Sequence, residues 1–295
     1  TVQGNLGKMR NWGIDTSVDY NNQINKDLFV SFKGTFTFAH NKILEMDEPE
    51  FSLYPNRLKV GHSLNTIFGY VADGLFTDEN MINNSLPQQF ANLPLMPGDI
   101  KYKDVNGDGI VNDADMVAIG ATTKPNLIYG FGVSAQWNGF DFNVHFQGSG
   151  KSSFFINGTS VHAFSDSQWG NVFTNLVKDR WVDPETAKIL GIPVNENPNA
   201  SYPRLTYGGN ENNYKKSTFW LRDGSYLRLK TLEVGYTLPK SIVNKMRFNK
   251  IRIFFIGTNL LTFAKFKEWD PEMGSSNGEQ YPLAKVFTLG LTVNI

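Results

Sequence analysis

Apolar and polar side chains alternate along seven stretches of the chain. A period of two is typical of a β-strand whose two faces meet different surroundings. In the stretch 28–39, for example, Phe32 and Phe36 alternate with Lys33 and Thr35. The pattern predicts strands at 9–20, 28–39, 127–137, 140–149, 225–237, 248–258 and 285–295.

Two of these stretches depart from strict alternation. In 225–237 the apolar side chains change phase once near Thr231, which predicts a β-bulge. In 248–258 the apolar Phe254 and Ile256 fall on the otherwise polar side, so that face of the strand is not purely polar.

The connections between the predicted strands alternate strictly between short and long. The short ones are 21–27, the pair Asn138-Gly139, which is typical of a two-residue hairpin, and 238–247. Transmembrane β-barrels have this organisation, with short periplasmic turns and long extracellular loops. The long connections are 42–126, 150–224 and 259–280.

These features predict an all-β fold, a transmembrane antiparallel β-barrel with three long extracellular loops. The predicted strands reach the roughly 9–11 residues that a tilted strand needs to cross a bilayer. Single-chain bacterial barrels have an even number of strands, and a sheet with bare edges is not tolerated in lipid. Seven strands therefore predict the C-terminal part of a larger barrel, with its earlier strands outside these 295 residues.

Composition removes several classes of function. Lys plus Arg and Asp plus Glu both number 28, so the basic excess of a nucleic-acid-binding protein is missing. The absence of cysteine excludes disulfides, thiolate metal sites and cysteine nucleophiles. No apolar run approaches the length of a transmembrane helix, and no signal peptide opens the chain, which begins with Thr1. We expect a segment of a longer protein.

The residues 104–115 match the calcium-loop template D-x-[DN]-x-[DN]-G over its first six positions. Calcium prefers several oxygen ligands on a tightly bent loop. The alternative is a turn rich in Gly, Asn and Asp that binds nothing. We predict a structural Ca²⁺ site that braces an external loop. Its ligands would be Asp104, Asn106, Asp108, the carbonyl of Ile110, and Asp115 at position 12.

No catalytic constellation is visible. The four histidines lack metal-ligand spacing, and there is no G-x-S-x-G nucleophile elbow. The stretch 130–135 matches G-x-G-x-x-A, but it lies inside an alternating segment that a hairpin turn follows. A dinucleotide site would need a helix there, so small residues on the polar face are the better interpretation. We expect no enzyme.

Aromatic residues fall into two groups. The first lies towards strand ends on apolar faces, which predicts interfacial girdles: Trp12, Tyr20, Tyr129, Trp137 and Tyr236. The second lies in the long connections, where anchoring of the loops is favoured over stacking on sugar rings: Trp169, Trp181, Trp220 and Trp269. Helical spacing predicts a short amphipathic helix over 171–181 that Asp183-Pro184 closes, and 183–218 should be irregular.

Five segments resemble the SusC-like (RagA-like) TonB-dependent transporters. They occur in the order of that family across nearly all of the chain, and they correspond to about the last third of a full transporter. The segments are 9–13, 69–76, 97–102, 225–239 and 257–263, the last followed by Trp269-Asp270-Pro271-Glu272.

The resemblance implies a barrel of about 22 strands with a plugged lumen in the outer membrane. It further implies a SusD-like surface lipoprotein and TonB-powered import of oligosaccharides or peptides, without bond chemistry. The polar side of the strand 140–149 would then face plug, water or ligand, through Asp141, Asn143, His145 and Gln147.

Two other functions remain open from the sequence. One is a soluble all-β carbohydrate-binding module with a dockerin-like calcium loop, whose Phe-rich faces would form a core. The other is an enzyme acting on glycans. Dependence on detergent would favour the barrel over the module, and hydrolysis products would reveal the enzyme.

Overall fold

The computed structural model describes residues 6–48, 54–165, 172–192 and 200–295, and its main feature is one antiparallel sheet of seven long strands. Each strand pairs with its neighbours in chain order, which confirms the seven predicted strands and the all-β barrel class. The strands are β1 Lys8–Gln23, β2 Leu28–Glu45, β3 Leu127–Trp137, β4 Phe140–Gly150, β5 Tyr226–Thr237, β6 Lys250–Ala264 and β7 Val286–Asn294.

Two local predictions about the strands are confirmed. Asn138 and Gly139 join β3 to β4 with φ of 47° and 86°, the left-handed conformations that a two-residue hairpin turn requires. Leu229 pairs with Phe146 of β4 and Thr231 with His145, so Lys230 is the extra residue of the predicted bulge.

The two sides of the sheet differ sharply. Large apolar side chains cover one side, here called the apolar face, and remain exposed instead of packing against a second sheet. On β2 this face runs from Leu28 to Phe38, roughly 33 Å along the strand, or about 25 Å in height at a tilt near 40°. That height matches the apolar band of a membrane barrel. Exposed members are Ile14, Val18, Phe32, Phe36, Phe131, Val133, Phe142, Val234, Ile253, Leu289 and Leu291.

The long connections carry most of the remaining short elements. Two others lie at the opposite end of the sheet, where Lys240–Val243 and Asn244–Met246 follow β5. The short strands are Phe68–Gly69, Ala72–Leu75, Ile100–Tyr102, Val117–Ala118, Ser153–Phe155 and Leu221–Asp223. The α-helices are α1 Glu79–Asn83, α2 Thr174–Lys178, α3 Pro184–Leu190 and α4 Lys240–Val243. The 3-10 turns are Pro55–Arg57, Asp113–Asp115, Asn244–Met246 and Pro271–Met273.

The described parts of the connections 46–126, 151–225 and 265–285 pack together at one rim of the sheet, and we call this body the loop module. All three connections contribute to one buried cluster, so they lie at the same end of the strands. Its members are Tyr70, Leu75, Ile100, Tyr102, Val111, Ile156, Val161, Leu176, Tyr202, Trp220 and Phe266.

Two expectations for the loops need correction. The helix expected over 171–181 is shorter, since α2 covers Thr174–Lys178, and residue 171 lies outside the described residues. The expectation of irregular chain over 183–218 is wrong for α3, because Asp183 begins that helix instead of closing the previous one. Its side chain accepts a hydrogen bond from the Thr186 amide, and Gly191 ends the helix at φ 62°.

Among the described residues, no helix combines the length and apolar character that a membrane span requires.

Candidate functional site

The side of the sheet opposite the apolar face, here called the polar face, carries the four residues predicted to face inward. Asp141, Asn143, His145 and Gln147 alternate along β4 and share this side. Their neighbours across the strands are mostly small or polar, since Ser134 pairs with Asn143 and Gly132 with His145. Gly130 and Gly132 therefore belong to a strand, as the interpretation of the G-x-G-x-x-A match required.

An ion network ties β4, β5 and β6 together at the end nearest the short turns. The Arg252 guanidinium donates to both carboxylate oxygens of Asp141, and also to Glu233 at 2.6 Å. Gly235 lies on β5, between Asp141 on β4 and Arg252 on β6. A Cβ at this position would stand 2.5 Å from Arg252 Nη2 and from Asp141 Oδ2. The missing side chain lets the ion pair cross β5, and two carboxylates against one cation leave the network negative.

Further along the polar face, a groove of about 330 Å³ surrounds His145 and Asn143. Asn143 accepts a hydrogen bond from the Ser134 hydroxyl at 3.0 Å. Lys33 and Asp19 form an ion pair at 3.6 Å beside the groove. The groove therefore offers hydrogen-bond donors, hydrogen-bond acceptors and side chains of both charges. Such a lining suits a surface that contacts water or another part of the protein.

A larger cavity of about 550 Å³ lies where β4 and β5 meet the loop module. Gln147, the fourth predicted residue, lines it together with Ser149, Tyr226, Lys124 and Glu272. The four predicted residues therefore do not form one site. Asp141 belongs to the ion network, Asn143 and His145 line the groove, and Gln147 faces the cavity below the loops.

Arg228 fastens the third loop to the sheet next to this cavity. It is 2% exposed and donates to Asp270 at 2.6 Å, with Glu272 at 3.3 Å. A buried cation needs such partners because removing it from water is costly. The connection 265–285 is thus bound to β5 by charge as well as by packing.

Asp99 holds two of the loops together. Its carboxylate is 1% exposed and accepts hydrogen bonds from Arg204 Nε at 2.7 Å, Asn210 at 3.0 Å and Asn213 at 2.9 Å. Sequence reasoning missed this cluster, because Asp99 stands more than 100 positions before its three partners. The run Asn210-Glu211-Asn212-Asn213 was the only local signal, and it also fits a solvated loop.

The loop tryptophans that the structure describes act as anchors. Trp220 is 3% exposed and donates from Nε1 to the Asn213 carbonyl at 2.6 Å. Trp269 donates to the Ser275 carbonyl at 3.1 Å, and Trp181 packs on Gly98. Trp169 lies outside the described residues. Packing accounts for these three side chains without a sugar ligand.

The five girdle aromatics all lie on the apolar face. Trp12, Tyr20 and Trp137 are each more than half exposed. The ring centroids of Tyr236 and Phe140 lie 4.4 Å apart beside the β3–β4 turn, with the ring planes tilted by 38°. The Tyr129 ring lies over Gly148. These five residues lie near both ends of the strands, as two girdles would require. The girdles themselves stay a prediction, which the depth of these residues in the bilayer would test.

The predicted calcium residues share one compact loop. Asp104 accepts hydrogen bonds from the amides of Gly107 and Gly109, and these bonds lower the pKa of its carboxyl. Asp115 is fully buried, and its carboxylate accepts hydrogen bonds from the amides of Val105 and Asn112. No group of three or more acidic or histidine side chains is arranged as a metal site in the described chain.

His162 is buried in the loop module and faces aromatic rings. It stacks on Tyr214 at 4.3 Å and meets Trp220 edge-on at 5.0 Å, while its Nε2 has no hydrogen-bond partner. Burial disfavours the charged imidazolium and lowers the pKa of His162 to about 4 from its ordinary 6.5.

We expect acidification to destabilise the loop module through His162. Between pH 6.5 and about pH 4, His162 is protonated in the unfolded chain but neutral in the folded one. The free energy of unfolding therefore falls as the pH is lowered through that range. At pH 5 the loss is about 2 kcal/mol, at 1.36 kcal/mol per pH unit. Thermal melts of wild type and His162→Phe at pH 5 and 7.5 measure it. Equal pH dependence in both proteins would contradict the assignment.

Comparison with known proteins gives sequence relatives over nearly the whole chain, although no family model matches it. "TonB-dependent receptor P26" of Formosa agariphila is 29% identical, covering 98% of this chain and 29% of the relative. "TonB-dependent receptor P3" of the same organism is 26% identical, with the same coverage. "TonB-dependent receptor SusC" of Bacteroides thetaiotaomicron is 21% identical, covering 98% of this chain and 27% of the relative.

Solved structures share the fold. A structure described as the RagAB peptide transporter superposes with a TM-score of 0.68 at 23% identity, covering 99% of this chain and 30% of that chain. The RagAB peptide importer in its 'closed-closed' state gives the same TM-score at 22% identity, with the same coverage. The chain spans less than a third of the length of the curated receptors named above. All these proteins are named as receptors, transporters or importers, in line with the expectation that the chain is no enzyme.

Proposed function

We propose that the chain forms part of the wall of an outer-membrane nutrient importer. The chain is similar over nearly all its length to the C-terminal region of SusC-like TonB-dependent receptors. The observation that carries the proposal is the division of one sheet into an exposed apolar face and a polar face, with all three long loops at one rim. A soluble sandwich would bury its Phe rows, whereas here they are exposed. Lipid is the surrounding that makes such exposure favourable.

The cargo is an oligosaccharide or a peptide, which the importer moves without breaking bonds. Support for a peptide comes from the structural neighbours, which are described as peptide transporters. The cavity beside Gln147 supports either class, because Lys124 and Glu272 offer both charges while Ser149 and Tyr226 offer hydroxyl groups.

The partner at the outer rim is a SusD-like lipoprotein that covers the loop module, and TonB supplies energy through a part of the receptor outside this chain. The loops present large apolar side chains to solvent, as a surface that meets a partner would. Ile189 is 83% exposed, Tyr207 68% and Tyr281 92%.

Gene deletion and complementation test this function. Cells lacking the full-length receptor should lose uptake of labelled oligosaccharides or peptides, and the wild-type gene should restore it only when TonB is present. The restored protein should fractionate with the outer membrane and need detergent for extraction. Recovery in the soluble fraction, or normal uptake of every tested cargo without the receptor, would refute the proposal.

We further propose that Ca²⁺ binds the loop 104–115 and braces the loop module. The support is the ligand spacing and the fold of the loop, in which Asp104 Oδ2 accepts from the Gly109 amide at 2.8 Å, with the exposed Asp108 close by in the sequence. The bonds that Asp115 already makes would have to loosen for it to act as a ligand.

Calcium removal should therefore lower the thermal stability of the loop module. At a free concentration a hundred times the Kd, Ca²⁺ should stabilise it by about 2.7 kcal/mol, and chelation should remove that gain. The double change Asp104→Asn and Asp108→Asn should abolish the response, while the exposed Glu211→Gln serves as control. Melts of the receptor in detergent that are identical with Ca²⁺ and with chelator would exclude the site.

A further inference from the structure

A group of basic side chains lies on the apolar side of the sheet, just beyond the apolar band at the loop end. Arg10 on β1 and Lys42 on β2 are direct cross-strand partners, two positions further out than the pair Trp12 and His40. Both are exposed. Alternation along the strands places them on the same side as Trp12, whose ring contacts Phe38 at 5.4 Å and His40 at 5.5 Å.

Lys151 joins this group from the end of β4. Its ammonium lies over the Phe38 ring, 4.9 Å from the centroid, at the upper edge of the apolar band. The three cations thus border the aromatic cluster of Trp12, Phe38 and His40 at the loop end of the sheet, Lys151 over Phe38 and the other two beyond Trp12 and His40. We call Arg10, Lys42 and Lys151 the basic rim.

Carboxylates do not neutralise the basic rim in the described chain. Arg10 and Lys42 form no ion pair among the residues that the structure describes, and the nearby Glu45 is paired with Lys8 at 3.5 Å. Like charges directly opposite each other on neighbouring strands repel and cost stability. An anion bound between Arg10 and Lys42 would relieve that repulsion.

The position of the basic rim identifies the anion. Aromatic side chains mark the level of the headgroups in a membrane, and cations at that level attract anionic lipid. An apolar surface does not attract free phosphate. A lipid, in contrast, places its phosphate next to the cations and its acyl chains on the apolar residues of the band. Ile14, Phe36 and Phe38 supply that apolar surface.

We propose that the basic rim binds the phosphorylated headgroup of an outer-leaflet lipid. Arg10 and Lys42 contact the phosphate from neighbouring strands, Lys151 contacts it from the β4 end, and the acyl chains lie along the apolar face. The inference rests on the proposed outer-membrane location, because it needs the loop end of the sheet to face the outer leaflet.

The test uses the full-length receptor in a neutral detergent and titrates it with lipid A, a phosphorylated glycolipid, with inorganic phosphate as a second arm. The triple change Arg10→Gln, Lys42→Gln and Lys151→Gln should weaken lipid A binding about a hundredfold. The matched control changes Lys240, Lys245 and Arg247 to Gln, which removes the same charge at the short-turn end. That control should bind within about twofold of wild type, and inorganic phosphate should not compete at the concentration of lipid A.

Three results would overturn the inference: equal binding by wild type and the triple variant, equal loss in the triple variant and the control, or competition by inorganic phosphate. Fractionation of the same proteins separates this failure from that of the proposed function. A wild-type receptor in the outer membrane with no basic-rim effect overturns the lipid site alone. A wild-type receptor outside that membrane overturns both.

Discussion

Replacing Val133 by arginine should sharply reduce the amount of assembled receptor in the outer membrane. Val133 lies near the middle of β3 on the apolar face, where it pairs with Phe32 and Val144 and is 38% exposed. A cation at the midplane of a barrel wall costs about 2–4 kcal/mol, because it must leave water for hydrocarbon. In a soluble protein an equally exposed valine would accept arginine at little cost.

The neighbouring residue provides a matched control. Ser134 is one position further along β3 and faces the other way, where its hydroxyl donates to Asn143. Ser134→Arg adds the same side chain to the polar face, so we expect normal assembly. Heat-modified mobility and outer-membrane yield measure both variants. Equal assembly of Val133→Arg and wild type would show that the apolar face does not meet lipid.

Removing the charge of Asp99 should loosen the loop module from within. Asp99→Asn leaves Arg204, which is 15% exposed, without its carboxylate, and it disturbs the hydrogen bonds from Asn210 and Asn213. Breaking a buried ion pair by changing one partner costs about 3–5 kcal/mol. Opening of the loops should then expose the cluster around Tyr102 and Trp220, which hydrogen exchange or limited proteolysis can detect.

Asp73 provides the comparison, because it also pairs with lysines in the loop module but lies in solvent. Its partners Lys101 and Lys103 stand at 3.4 Å and 3.7 Å. Exposed pairs of this kind contribute up to about 1 kcal/mol, so Asp73→Asn should leave protection of the loops nearly unchanged. If hydrogen exchange shows equal protection of the loops in both variants, Asp99 does not hold the two loops together.

The strands could be predicted because their signal is local. The period of two requires only that neighbouring side chains face different surroundings. It located β3 at 127–137 and a bulge near Thr231, one position from Lys230, where the structure has it. The ends of β1 and β2 extend further than predicted, to Gln23 and Glu45, since pairing continues where the polarity pattern has already faded.

The loops were predicted poorly because their signal is distant. α3 was missed although Asp183, Pro184 and Gly191 are good helix-terminal residues, because a Pro- and Asn-rich context outweighed them. The four lumen candidates share one side of β4, as the alternation predicted. Their separate surroundings depend on Arg252, Ser134 and Glu272, which come from other strands and loops.

The seven strands, their order and the apolar side of each follow from local sequence patterns, because alternation and turn residues act over a few positions. Long-range contacts set the rest. They fold three long connections into one module, pair Asp99 with Arg204 and bury Asn210, Asn212 and Asn213. They also bring Arg10, Lys42 and Lys151 to one rim of the sheet. Contacts between residues this far apart depend on where the sheet carries the chain, and no local pattern encodes that position.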